Sequence, residues 1–171
     1  MLSRITPLSL LSLTDQAEQL PNIFVYWVTD HSRFGGNCKD IIERVESGEI
    51  QGIVPGIILN ELLHRLMIAE TIDLGYALST PDAVRKLKDT PAIIKDLSIA
   101  WKVYDSLPEM GFEILEDEKG ISGLTYYFSK ETSLMAKDAA IVSYAHKYNI
   151  SDIITNDRDF QRIQWLTCWH P

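Results

Sequence analysis

Three acidic residues stand in settings where carboxylates can do chemistry. Glu61 lies in Leu59-Asn60-Glu61-Leu62-Leu63-His64-Arg65-Leu66, beside the apolar spacing of Ile58, Leu62 and Leu66. Asp138 opens the otherwise apolar Asp138-Ala139-Ala140-Ile141-Val142. Asp157 follows the short run Asp152-Ile153-Ile154-Thr155, inside Thr155-Asn156-Asp157-Arg158-Asp159-Phe160. Taken singly, each has an ordinary explanation: a solvated helix charge, a complement to a helix N-terminus, and a cap. Carboxylates that converge on one place repel one another unless a proton or a cation intervenes. Oxygen-only ligands suit Mg²⁺ or Mn²⁺, and such ions stabilise in-line attack on a phosphodiester.

The elements that must position these acids alternate between helices and short apolar strands. Helices are expected over residues 22–28, with Asn22 as cap, and over 37–47, with Cys38, Ile41, Ile42 and Val45 on one face and Gly48 closing it. A strand over 50–54 leads into a helix that Pro55 opens and that runs to about Glu70. Modest helices follow over 71–79 and 81–88. A stronger one over 92–107 carries Ile93, Ile94, Leu97, Ala100, Trp101 and Tyr104 on one side and is stopped by Pro108. A strand over 112–115, a helix through Tyr126 and Tyr127, and a helix over 137–148 ended by Asn149 come next. A strand over 152–155 and a short helix over 157–163 complete the pattern. Strands separated by helices imply an α/β fold with a mainly parallel sheet covered on both faces. In such a sheet ligands bind beyond the carboxyl ends of the strands, where Asp157 falls.

Composition narrows the class further. A chain of 171 residues with 46% hydrophobic and 23% charged residues reads as one globular domain over 1–171, with residues 1–20 the least certain segment. A chain of this size buries about 70% of its unfolded surface, so it needs no disulfide or metal staple. Cys38 and Cys168 are far apart, which points to a reducing, cytoplasmic setting. The apolar stretch 7–13 after Arg4 contains Ser9 and Ser12 and lacks a small-x-small cleavage site, so it is read as part of the fold. No apolar run approaches the roughly 18 residues of a membrane span. A net charge of −8 excludes binding of nucleic acid through a broad basic face. The charge is uneven: residues 105–118 hold six acids and no base, whereas 130–171 hold five of each, which leaves room for a local basic rim.

In the segments Lys137-Asp138-Ala139-Ala140-Ile141-Val142 and Ile153-Ile154-Thr155-Asn156-Asp157-Arg158-Asp159-Phe160, in the Glu61 helix, and in Asn22-Ile23-Phe24-Val25-Tyr26, the chain resembles the PIN domain family, especially the ribonuclease toxins of bacterial toxin–antitoxin pairs. The resemblance covers residues 22–165. It implies a three-layer α/β/α sandwich and a Mg²⁺- or Mn²⁺-dependent endoribonuclease. It places catalytic metal ligands on Glu61, Asp138 and Asp157, with Asn22, Thr155 and Asn156 as polar supports and Arg158 facing a substrate phosphate. It also implies RNA as substrate, a homodimer, and an antitoxin whose segment covers the acidic cleft.

One departure matters. Where the family pattern has an Asp two positions before Asn22, this chain has Leu20, which cannot coordinate a hard cation; Asp15 and Glu18 are the nearest acids. The alternative reading is therefore a catalytically degenerate PIN-like binding or regulatory protein, and a third is an unrelated acidic, Mg²⁺-using α/β hydrolase. The remaining candidates read as structure. His31, His64, His146 and His170 lack nucleophile or zinc spacing, Gly35-Gly36 reads as a loop before a helix, and Trp101, Trp165, Trp169, Tyr126 and Tyr127 read as packing or interface anchors.

Overall fold

The structure, a computed structural model, describes residues 23–171. The expected cap Asn22, the segment 1–20, and with it Leu20, Asp15 and Glu18, lie outside the described residues.

Helix α1 (Ile23–Val28) packs on α2 (Gly35–Glu46), whose apolar face buries Cys38, Ile42 and Val45. Gly35 is already helical rather than a loop residue. Gly48, at a φ of 72°, takes the left-handed conformation that ends the helix. Strand β1 (Gly52–Pro55) is buried along its whole length and runs directly into α3 (Gly56–Asp73). Pro55 closes the strand in an extended conformation and stands just before the helix, not in its first turn. Ile58, Leu62 and Leu66 are fully buried, as their spacing requires.

The middle of the chain departs from expectation in two places. Residues 71–73 end α3, and 74–79 form a turn rather than a separate helix. Ser79 then caps α4 (Thr80–Asp89), its hydroxyl accepting from the Asp82 amide. The single helix expected over 92–107 is two, α5 (Ala92–Asp96) and α6 (Ile99–Ser106), broken at Leu97 and Ser98. The cause is Glu70, a buried carboxylate on α3 that accepts the backbone amides of Ser98, Ile99 and Ala100 at 2.6–3.1 Å. A carboxylate so placed satisfies the orphan donors of a new helix start. The break also turns Trp101 and Tyr104 outward, while Ala100 and Val103 face the core.

Strand β2 (Phe112–Leu115) pairs in parallel with β1, Gly52 opposite Phe112 and Pro55 opposite Leu115. Helices α7 (Ile121–Thr132) and α8 (Ala136–Lys147) pack against each other. Asn149, at a φ of 54°, terminates the segment after α8. Strand β3 (Asp152–Ile154) pairs in parallel with β4 (Thr167–Trp169), a strand absent from the sequence expectation. Between them Arg158–Arg162 form a 3-10 turn. The result is the expected α/β class, helix-rich with parallel strands, around one main apolar core that includes Phe24, Val54, Leu62, Ile141, Tyr144, Ile153 and Phe160. No helix among the described residues is long and apolar enough to cross a membrane.

Candidate active site

Each acid is presented by a different piece of local structure. Glu61 stands about one and a half turns into α3, the helix that follows β1, on the border between the buried stripe and solvent. Its Oε1 accepts the Nε–H of Arg65 at 2.5 Å, an i,i+4 pair whose side chains are each about a quarter exposed. The ammonium of Lys137, the second residue of α8, reaches the same oxygen at 3.5 Å. This contact joins α3 to the first turn of α8, one residue from Asp138.

Asp138 is 4% exposed in the first turn of α8, the end of a helix that favours negative charge. Asp157 follows β3. Its amide donates to the buried Thr155 hydroxyl at 2.9 Å, and its carboxylate accepts the Asp159 amide at 2.7 Å, capping the 3-10 turn. Thr155 itself extends the β3–β4 pairing by donating its amide to Trp169. Arg162 secures this loop from outside, donating to Asp159 at 2.8 Å and to the Ser133 carbonyl at 2.9 Å. The loop of Asp157 is thereby tied to the connection that leads into α8. On the other side lies Cys168 of β4, whose thiol is pushed up by burial first and by the Asp157 charge second. Asn156 is half-buried and Arg158 is exposed.

Glu61 and Lys137 sit on the wall of a cleft of about 700 Å³, together with Asn60, Asp117, Glu118 and Tyr144. The Tyr144 hydroxyl donates to Asp117 at 3.1 Å, and Lys147 pairs with Glu118. The acidic run over 105–118 thus supplies part of this wall through Asp117 and Glu118. Sequence spacing alone reveals the Glu61–Arg65 pair, but the roles of Lys137, Asp117 and Tyr144 arise only from tertiary packing.

The other candidates fall where structural roles place them. His31 accepts the amides of Arg33 and Phe34 through Nδ1, and His146 packs between Phe128 and Trp165. The Trp169 indole donates to the buried Asp152.

Glu61, Asp138, Asp157 and the Asn156 side chain offer hard oxygen donors, the chemistry a Mg²⁺ or Mn²⁺ ion prefers. As arranged, however, no group of three His, Cys, Asp or Glu side chains among the described residues is disposed to hold a metal ion. Glu61 is occupied instead by Arg65 and Lys137.

The PIN domain family profile matches residues 22–166, and this chain belongs to that family. It is similar to Ribonuclease VapC2 of Methanocaldococcus jannaschii, at 30% identity over 131 residues, covering 75% of this chain and 78% of that protein. Among solved structures it is similar to the crystal structure of VapBC2 from Rickettsia felis bound to a DNA fragment from their promoter. That likeness has a TM-score of 0.49 at 17% identity, over 86% of this chain and 92% of the other.

Proposed function

We propose that this chain is a PIN-type endoribonuclease that hydrolyses RNA phosphodiester bonds with Mg²⁺ or Mn²⁺, and that it serves as the toxin of a toxin–antitoxin pair. Membership of the family and the ribonuclease name of the Methanocaldococcus jannaschii relative support the reaction class. The observation that carries the assignment to a site is the Glu61–Lys137 contact, which brings the acid of α3 to the helix turn that bears Asp138, on the wall of a cleft. In this reading Glu61, Asp138 and Asp157 are the catalytic carboxylates and would hold the ion. When bound, such an ion lowers the pKa of water and stabilises charge on the phosphate.

The chain's own residues do the positioning. Thr155 holds the Asp157 backbone through its hydroxyl, and the family resemblance makes Asn156 and Asn22 the further polar supports. The exposed Arg158, beside Asp157 in sequence, would meet a phosphate of the substrate. A homodimer formed through the middle helices suits the outward Trp101 and Tyr104 and the 94% exposed Leu78. An antitoxin segment over the acidic cleft and a cytoplasmic location complete the proposal.

The second reading is a degenerate PIN-like binding protein. It is favoured by Leu20 in place of the family's Asp and by the two cations already resting on Glu61. The test is cleavage of a single-stranded and a hairpin RNA by purified protein with Mn²⁺, with EDTA, and with Asp138→Asn. Metal-dependent loss of intact RNA in the first alone is expected; the Asp138→Asn rate should fall roughly 100-fold or more. Unchanged cleavage by the variant removes Asp138 from its role, and retained RNA binding without cleavage favours the second reading.

A further inference from the structure

Two positive side chains converge on one oxygen of Glu61. Arg65 comes from the same helix at 2.5 Å, and Lys137 comes from a different one at 3.5 Å. The Lys137 side chain is about one-third exposed and belongs to the turn that carries the buried Asp138. A divalent cation needs carboxylate oxygens free to replace its water, and it is repelled by an ammonium held at the same oxygen. We propose that Lys137, backed by Arg65, is an internal counter-cation that keeps Glu61 closed to metal, so that an ion binds there only by displacing Lys137. This rests on the reading of Glu61 as a metal ligand.

The two cations do not have equal freedom. Arg65 is fixed four residues along α3 and bonds through its Nε–H, so it moves only with its own rotamer. Lys137 reaches Glu61 from another helix on a long, rotatable stem, at a separation beyond a normal hydrogen bond. Lys137 is therefore the member of the pair that joins the two helices. The device makes loading depend on how strongly divalent and monovalent cations compete for one carboxylate, so metal affinity should also respond to whatever else draws Lys137 away, a phosphate group included.

The experiment counts free Mn²⁺ by electron paramagnetic resonance during titration of the full chain, with no RNA present. The proteins are the unaltered form, Lys137→Met, Lys137→Gln, Glu61→Gln and the Lys137→Met/Glu61→Gln double variant. Circular dichroism melts confirm which variants are folded; having two Lys137 replacements guards against one failing. Removing Lys137 should tighten Mn²⁺ binding by roughly fivefold, the upper range for an ion pair of this exposure. The gain should vanish when Glu61 is Gln. Unchanged or weaker binding by both Lys137 variants, with Glu61→Gln still lowering affinity, overturns the gate but leaves Glu61 a ligand. Affinity that Glu61→Gln does not alter, or no Mn²⁺ bound by any form, overturns the site reading and the gate with it.

Discussion

Glu70 and Ile99 are 29 residues apart in sequence, yet both carboxylate oxygens of Glu70 accept the Ile99 amide at 2.9 Å. With the Ser98 and Ala100 amides, this places one acid of α3 across the start of α6. Burial alone would raise the Glu70 pKa, but the backbone hydrogen bonds from Ile99, Ser98 and Ala100, with the Ser98 hydroxyl, outweigh it. The carboxyl is held below its ordinary value of 4.5. Because the folded pKa is depressed, Glu70 contributes its full stabilisation above pH 4.5, and that contribution is lost as pH falls through the folded value. Glu70→Gln should cost about 1–3 kcal/mol at pH 7. Urea denaturation of both forms at pH 7 and at pH 3 should show the difference shrinking at the lower pH; an equal difference at both would mean that charge is not what Glu70 supplies.

Tyr144 is held on the cleft wall by its hydrogen bond to Asp117. Burial first, and then the Asp117 bond and charge, push its phenol up to about 12 from 10.0. Stability from this group is therefore complete below pH 10 and is lost as pH rises through about 12. The phenolate absorbance missing from a Tyr144→Phe difference titration should appear near pH 12. Tyr144→Phe should also destabilise the fold by about 1 kcal/mol at pH 7, read from denaturant midpoints.

Gly52 is the residue that lets β1 lie against its neighbours. A Cβ there would stand 2.5 Å and 2.6 Å from two ring carbons of Phe112 and 2.9 Å from a methyl of Val45. Gly52 and Phe112 are partners in the parallel register, so the ring cannot simply swing away from the strand. Gly52→Ala should cost about 1–3 kcal/mol. Pairing it with Phe112→Leu should recover part of the loss, and a double-mutant cycle that shows no coupling would refute the contact as its cause.

Leu20→Asp tests the family comparison at the position where this chain departs from it. An added carboxylate raises the negative charge available to offset dehydration of the ion, so Mn²⁺ should bind more tightly, on the order of tenfold. RNA cleavage should rise with it. Equal affinities measured by calorimetry would mean that Asp15, Glu18 or another group already fills this role, or that residue 20 is remote from the acids.

What could be read from the sequence follows the range of the forces involved. The α3, α8, β2 and β3 segments were legible because Leu62 and Leu66, or Ile153 and Ile154, declare their periodicity locally. The break at Leu97 and Ser98 was not, since those residues continue a helical apolar pattern and the cap that interrupts it comes from Glu70. Strand β4 is not legible because Thr167-Cys168-Trp169 is short and half-exposed, and it is a strand only by virtue of its pairing with β3. The acids themselves could be picked out by their neighbours. The cations resting on Glu61 could be only half anticipated, Arg65 by its i,i+4 spacing and Lys137 not at all, because it arrives from another helix.

The link between β3 and β4 is the segment 155–166, close to the minimum of about a dozen residues for a connection between parallel strands. Asp157 sits within it, fixed at one end by Thr155 and spanned by the Arg162 bonds to Asp159 and Ser133. Surface connections usually absorb extra residues at small cost, but this one has no slack to take them up. An insertion here would have to move Asp157 or unzip β4. Evolution can lengthen this protein at the turn over 74–79 far more cheaply than at the loop that carries its third acid.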